Sequence, residues 1–187
     1  MERSLARIAL FAALIAALGF VPKIDMGFGV PITAQTLGVM LCGTVLGARS
    51  GALAVLLFMA LALLGLPILA GGRNGFAALA SPSVGFFLGF PVAAFVTGWL
   101  MTWSKQVSTV ATFNAAVFGG IVTLYLFGIP GIAAKAGLSL TEAFWSAMVF
   151  VPGDVIKAAV AALVTTALAR ARPGLVAGAK EPASAQF

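Results

Sequence analysis

Two opposite charges lie close together in a stretch of sequence that is otherwise almost wholly apolar. Among residues 144–168, Asp154 and Lys157 are the two charged residues. Residues three positions apart share one face of a helix, so these two side chains can meet. An ionisable side chain at membrane depth costs at least about 2.5–3.5 kcal/mol. We therefore expect the pair to be used, either on each other or on a ligand.

The pair is compatible with three kinds of chemistry. As a ligand clamp, Asp154 would accept hydrogen bonds from N–H groups, and Lys157 would donate to an acceptor or an anion. As a salt bridge, the two would only hold the helices together. As a proton relay, Asp154 would take up and release a proton. Pro152 and Gly153 precede the pair, so a helix is expected to kink or begin there, with Asp154 near its positive N-terminus.

Two further polar segments are candidates for the same site. The glycine-rich residues 71–75 would let backbone approach a ligand closely, and Asn74 adds an amide that both donates and accepts. Gln35, beside Thr36, places a second amide at the start of another apolar run, where it could face the same cavity. The structural alternatives are an exposed turn for Asn74 and a solvated amide at a helix start for Gln35.

Composition narrows the class of protein. The chain is 61% hydrophobic and 9% charged, whereas a soluble domain is about 25% charged. It has no histidine, five acidic residues and one cysteine. We therefore expect no catalytic site, no metal, no bound cofactor and no intrachain disulfide. The net charge of +6 comes from basic residues scattered singly between apolar runs, which indicates membrane orientation rather than nucleic-acid binding.

The elements that must position these residues are apolar runs of roughly membrane-spanning length. They predict an all-α integral membrane protein, a bundle of six transmembrane helices. We retain the first run as a span rather than a cleaved signal peptide, because five more follow it. Residues 128–131, with Gly128, Pro130 and Gly131, are expected to end the fifth run. The predicted spans are 5–22, 33–48, 51–66, 83–103, 108–128 and 144–169.

The basic residues orient the bundle. With the N-terminus inside, seven lie on the inner side: Arg3, Arg7, Arg49, Lys105, Arg170, Arg172 and Lys180. Three lie on the outer side: Lys23, Arg73 and Lys135. This excess predicts cytoplasmic N- and C-termini and puts Asp154 and Lys157 in the outer half of the last span. The longer connections, 23–32, 67–82 and 129–143, then face outward, either over a binding site or as inert connectors. Residues 1–172 form a single membrane domain, and 173–187 a mobile cytoplasmic tail.

The first span carries small residues at every fourth position. Ala9, Ala13 and Ala17 make a smooth strip along which another helix can pack closely. The strip is either a contact inside the bundle or a docking surface for a separate membrane partner. Nothing in the sequence would bind or hydrolyse a nucleotide, so uphill transport would need an ion gradient or such a partner.

Four stretches together carry a family resemblance that spans about residues 5–172. They read GTVLGARSG at 43–51, LGLP at 64–67 followed by Gly71 and Gly72, SPSVGFFLGF at 81–90, and PGDVIK at 152–157. In their order and spacing they resemble the BioY family, the biotin-specific substrate-capture (S) components of energy-coupling-factor (ECF) transporters.

The resemblance implies a six-helix bundle in the prokaryotic cytoplasmic membrane, with biotin bound near the outer face. It implies ligand contacts from Asp154, Lys157 and Asn74, to which the residues themselves add Gln35. The strip of Ala9, Ala13 and Ala17 would dock on a transmembrane coupling (T) component driven by two ABC-type ATPases. The loaded protein would then tip in the membrane to release biotin inside.

The chemistry of biotin is compatible with these residues. Asp154 can accept from its ureido N–H groups, and Lys157 can meet either its carbonyl or its carboxylate. Phe76, Phe86 and Trp145 are candidates to wall its apolar rings, with ordinary core packing as the alternative.

Two other functions remain open at this stage. One is a self-sufficient, proton-coupled secondary transporter, and the other is a capture component for another vitamin. An intramembrane enzyme is disfavoured because the chain has no histidine and no paired carboxylates. The working form is also left open between a single copy, a homo-oligomer and a complex with its energising module.

Overall fold

The structure is a computed structural model that describes residues 2–22, 24–25, 31–104 and 106–179. Within those residues the protein is helical apart from one antiparallel pair of two-residue strands and one isolated bridge, in agreement with the predicted all-α class. In chain order the elements are α1 (Glu2–Gly19), β1 (Ile24–Asp25), β2 (Pro31–Ile32), α2 (Gln35–Leu46), α3 (Ala48–Leu63), α4 (Gly75–Ala80), α5 (Val84–Met101), α6 (Thr109–Ala115), a π-helical segment (Ala116–Thr123), α7 (Leu124–Ala136), α8 (Leu140–Met148), α9 (Val151–Ala171) and a 3-10 turn (Pro173–Leu175).

Apolar helices lie at the positions of the six predicted spans, but they differ in length. In the described part of the chain, three are long and apolar enough to cross a membrane: Val84–Met101, Thr109–Ala136 and Val151–Ala171. The other three are shorter: Ser4–Gly19, Gln35–Leu46 and Ala48–Leu63. Helix α5 is central and packs against α2, α3, α7 and the π-helical segment. Its 18 residues carry apolar side chains on every side, as expected of a helix enclosed by others and lipid.

The last predicted span, 144–169, is two helices rather than one. Helix α8 ends at Met148 and α9 starts at Val151, with Pro152 in its first turn. Proline suits that position because the first N–H groups of a helix have no intrahelical partner. The prediction that a helix begins at this proline is therefore confirmed, and Asp154 lies in the first turn of α9.

The predicted end of the fifth span at residues 128–131 is wrong. The helix continues through Pro130 to Ala136 and stops at Gly137, whose φ of 68° is left-handed. The glycines here serve packing instead of a turn, because a Cβ on Gly131 would lie 2.5 Å from the backbone nitrogen of Gly85 in α5. Glycine at both positions lets the two helix backbones approach closely.

The three longer connections contain regular structure. The first holds the antiparallel pair in which Asp25 lies opposite Pro31; Lys23 and residues 26–30 lie outside the described residues. The second holds an isolated bridge between Leu69 and Arg73, followed by α4. The third is mostly the end of α7 and the start of α8.

Helix α8 begins with a capping box. Ser139 and Glu142 bond each other's backbone N–H groups, and the Ser139 hydroxyl also donates to the Glu142 carboxylate at 2.6 Å. These hydrogen bonds stabilise the charged form and hold the pKa of Glu142 below its ordinary value. The box therefore fixes where α8 starts.

The residues after α9 pack against the bundle. Val176 is buried, and the backbone N–H of Ala177 donates to the carbonyl of Val45 at 2.8 Å. These two contacts bring the start of the predicted tail against the turn between α2 and α3. Residues 180–187, including Lys180, lie outside the described residues, as does Lys105.

The close approach of α5 and α7 gives a stability prediction. Gly131→Ala adds a Cβ against the Gly85 backbone, so the two helices must separate. We expect a net loss of about 1–3 kcal/mol of unfolding free energy, despite the better helix propensity of alanine. Thermal unfolding in detergent measures the change. Gly174→Ala, where a Cβ meets nothing within 4 Å, is the matched control; a Gly131→Ala variant as stable as wild type would contradict the packing.

Candidate functional site

Asp154 and Lys157 form an ion pair in the first two turns of α9. The Lys157 Nζ lies 2.8 Å from the Asp154 Oδ1, and the two side chains are 16% and 7% exposed. The i, i+3 spacing puts both on the same helix face, and Asp154 lies near the positive end of the helix dipole. The salt bridge, one of the three possibilities that the sequence left open, is present in the structure.

Two other helices complete the hydrogen bonding of the pair. The hydroxyl of Tyr125 on α7 donates to the Asp154 Oδ2 at 2.7 Å. The hydroxyl of Thr36 on α2 donates to the Asp154 Oδ1 at 3.2 Å and accepts from the Lys157 Nζ at 3.0 Å. Two of the three ammonium donors are thereby used within the described residues, and one is left for another acceptor.

The pair borders a cavity of about 70 Å³, which we call the aromatic cavity. Its walls come from α2, α5, α7, α9 and the segment between α3 and α5. The lining combines apolar side chains with the ion pair and a few hydroxyl, amide and guanidinium groups. The lining residues are Thr33, Gln35, Thr36, Leu69, Arg73, Ala78, Ser83, Phe86, Phe87, Phe90, Leu124, Phe150, Asp154 and Lys157.

Aromatic rings form the apolar wall. The Phe86 ring meets Tyr125 edge-to-face with centroids 5.6 Å apart, and Phe150 in the same manner at 6.5 Å. Such edge-to-face pairs hold rings in fixed orientations. Of the three aromatic residues predicted to wall a ligand, Phe86 borders the cavity. Phe76 and Trp145 are 62% and 66% exposed and do not line it.

Gln35 borders the aromatic cavity, but its amide is engaged by the backbone. Its Nε2 donates to the carbonyls of Ile15 at 3.2 Å and Ile68 at 3.1 Å, and its Oε1 accepts from the N–H of Ala70 at 3.0 Å. The side chain is buried and joins α1 to the segment after α3. These three bonds give Gln35 a structural role, and its contact with a ligand stays a prediction.

Asn74 caps α4 and is not among the residues that line the cavity. Its Oδ1 accepts from the N–H of Ala77 at 3.0 Å, as an N-cap asparagine typically does. Its neighbour Arg73 does line the cavity, where its guanidinium donates to the Ala70 carbonyl at 3.3 Å and to the Ser83 hydroxyl at 3.4 Å. A ligand contact from Asn74 stays a prediction.

Sequence reasoning missed Tyr125 and Arg73 as members of the site. Tyr125 is the single tyrosine of the chain and lies within an apolar run, where a phenolic hydroxyl needs a partner. That isolation was the available signal. Arg73 belongs to the outer charge count and to the candidate segment 71–75, but the sequence predicts no role for its guanidinium.

The alanine strip lies on the exposed face of α1. Ala9, Ala13 and Ala17 are exposed, whereas Ala12 and Ile15 of the same helix are buried. The strip is therefore not an internal contact of the bundle.

The ion pair leads to a second stability prediction. Lys157→Met leaves the Asp154 carboxylate buried without its counter-ion, so we expect a loss of about 3–5 kcal/mol of unfolding free energy. Adding Asp154→Asn removes the stranded charge and should restore most of that loss. Unfolding temperatures in detergent compare the variants, with the exposed Lys135→Met as control. A double variant no more stable than Lys157→Met alone would contradict the coupling.

Comparison with known proteins places the chain among relatives. The model of the BioY family matches residues 2–174. "Biotin transporter BioY" of Rhizobium etli is 54% identical over 95% of this chain and 98% of its own length. A protein of the same description from Rhodobacter capsulatus is 49% identical over 92% and 96%.

A solved structure has the same fold. It is described as the S-component for biotin from an ECF-type ABC transporter, and it superposes with a TM-score of 0.85 at 31% identity, covering 90% of this chain and 92% of its own. The family resemblance noted in the sequence is thereby confirmed, and the chain belongs to the BioY family.

Proposed function

We propose that this protein captures biotin at the outer side of the membrane and imports it as the substrate-specific (S) component of an ECF-type ABC transporter. The observation that carries the proposal is the Asp154–Lys157 ion pair beside the aromatic cavity, in a chain of the BioY family. The names of the relatives, biotin transporters, support transport rather than catalysis.

The polar side chains of the aromatic cavity match the polar ends of biotin. A carboxylate such as Asp154 accepts from the ureido N–H groups, and Lys157 still has a donor for the ureido carbonyl or the valerate carboxylate. Charge-assisted hydrogen bonds of this kind are the stronger class. The rings of Phe86 and Phe150 offer an apolar face for the fused rings of the ligand.

Binding must rearrange the cavity. Its volume of about 70 Å³ is well below the roughly 300–1,000 Å³ of typical ligand pockets. The ion pair is closed, so a ligand that reaches both charges has to replace part of their mutual contact. We propose that biotin exchanges places with Lys157 on one carboxylate oxygen while Tyr125 keeps the other oxygen in position.

The proposed topology has six membrane spans with both termini in the cytoplasm. The apolar helices of the fold supply the spans, and the excess of basic residues on one end supplies the orientation. In this orientation the aromatic cavity, the hairpin and α4 face outward. The protein is then a multi-pass protein of the prokaryotic cytoplasmic membrane.

Transport would depend on partners at the alanine strip. We propose that Ala9, Ala13 and Ala17, exposed on α1, dock on a T component, and that ABC-type ATPases attached to it hydrolyse ATP. The strip is distinct from the lining of the aromatic cavity, so capture and docking use different surfaces. The T component and ATPases would thus supply the energy for uptake.

Biotin titration of the purified chain tests the capture step. Asp154→Ala should weaken biotin binding by about tenfold or more, since a lost charged hydrogen bond costs about 1.5–3 kcal/mol. Titration calorimetry measures the affinity, with the exposed Glu2→Ala as control. Unchanged affinity in a folded Asp154→Ala variant would refute the clamp. Wild-type protein that binds thiamine or riboflavin instead of biotin would refute the choice of ligand.

A larger residue in the strip should separate docking from capture. Ala13→Leu is expected to leave biotin affinity unchanged and to reduce uptake of labelled biotin by cells that contain the T component and ATPases. Ala60→Leu, at an exposed alanine of α3, controls for a bulky side chain facing lipid. Uptake equal to wild type in Ala13→Leu would exclude the strip as the docking surface.

Uptake that needs no ATPase but stops when the proton gradient collapses would instead favour a self-sufficient transporter.

A further inference from the structure

A second cavity lies at the other end of α2 from the ion pair. It has a volume of about 350 Å³, and we call it the basic pocket. Ser4 and Arg7 of α1 form one side, and Leu46 and Ser50, around the turn from α2 to α3, form another. The segment 174–177 closes a third side, held there by the buried Val176 and the hydrogen bond from Ala177.

The basic pocket favours an anion. Arg7 is partly buried and has no hydrogen bond or ion pair within the described residues. Among the described residues that line the pocket, none is acidic. A guanidinium group in this position, with the hydroxyls of Ser4 and Ser50 beside it, offers the donors that a phosphate or carboxylate prefers.

The backbone adds to this preference. Ser50 lies in the first turn of the 16-residue helix α3, and its N-cap Gly47 supplies no side-chain hydrogen bond to that turn. The first N–H groups of a helix lack intrahelical partners, and the helix dipole is positive there. Arg7 and the start of α3 therefore present positive charge to one cavity from two separate elements.

Exposed leucines follow the pocket along α1 and α3. Helices α1 and α3 both start at the pocket and pack against each other. Leu10 on α1 lies three residues beyond Arg7 and is 65% exposed, while Leu53 and Leu57 on α3 lie three and seven residues beyond Ser50 and are 51% and 37% exposed. These spacings keep the leucines on the same helix faces as the polar residues.

We propose that the basic pocket binds the phosphate group of an anionic phospholipid, with one acyl chain along the exposed leucines of α1 and α3. A polar, positively charged head region followed by exposed leucines matches a lipid, whereas a free phosphate would use only the head region. Basic pockets between membrane helices are suited to such headgroups. The site is separate from the aromatic cavity, so it does not depend on which vitamin is captured.

Lipid selectivity of the full chain in nanodiscs tests the site. The probes are spin-labelled phosphatidylglycerol and phosphatidylcholine in a phosphatidylcholine bilayer, and electron paramagnetic resonance gives their relative association with the protein. Wild type should prefer phosphatidylglycerol, and Arg7→Gln should lose about fivefold of that preference, the contribution of one basic residue at an anionic surface. Arg172→Gln, which removes an exposed charge outside the pocket lining, should change it little.

The remaining outcomes separate the alternatives. The unfolding temperature of Arg7→Gln in detergent should match that of wild type, which shows that the variant folds and keeps this test independent of the biotin proposal. No preference in wild type, or equal losses in Arg7→Gln and Arg172→Gln, would overturn the site. Displacement of labelled phosphatidylglycerol by inorganic phosphate would assign the pocket to a small anion. An Arg7→Gln variant that keeps its lipid preference but fails to assemble with the T component would assign it to an acidic partner side chain.

Discussion

One buried ion pair constrains the arrangement of this bundle. Charges such as Asp154 and Lys157 are tolerated in an apolar interior only if they are paired and their remaining hydrogen-bonding capacity is satisfied. Here the satisfaction comes from Thr36 on α2 and Tyr125 on α7 as well as from within α9. Three helices must therefore meet at one point, and the aromatic cavity lies beside that point.

Glycine residues allow the helices of the bundle to pack closely. Glycine at Gly85 and Gly131 lets α5 and α7 touch backbone to backbone, and a Cβ on Gly43 of α2 would meet the Thr97 side chain of α5 at 2.6 Å. Small residues are the usual means of helix association in lipid, where the hydrophobic effect gives no preference for protein contacts. This close packing holds the two charges in register.

The sequence predicted the features that follow from local chemistry. The six apolar runs, the helix start at Pro152 and the meeting of Asp154 with Lys157 need only composition and helical spacing. Contacts between distant segments were outside its reach. The glycines and Pro130 of residues 128–131 were predicted to form a turn. Local propensity carries no information about the Gly85 backbone on another helix, against which Gly131 packs. Tyr125 was missed for a similar reason, since its partner Asp154 is 29 residues away. Sequence spacing also does not reveal that the amides of Asn74 and Gln35 bind backbone groups.

Gln35 has a mechanical consequence. Its three hydrogen bonds connect α1, at Ile15, to the backbone of Ile68 and Ala70. Gly19 leaves room for this contact, because a Cβ there would lie 2.9 Å from the Gln35 Nε2. The segment with Ile68 and Ala70 leads directly into Arg73, which lines the aromatic cavity. The helix that carries the alanine strip is thus linked to the rim through one side chain, so a shift of the rim has to break these hydrogen bonds or pull on α1.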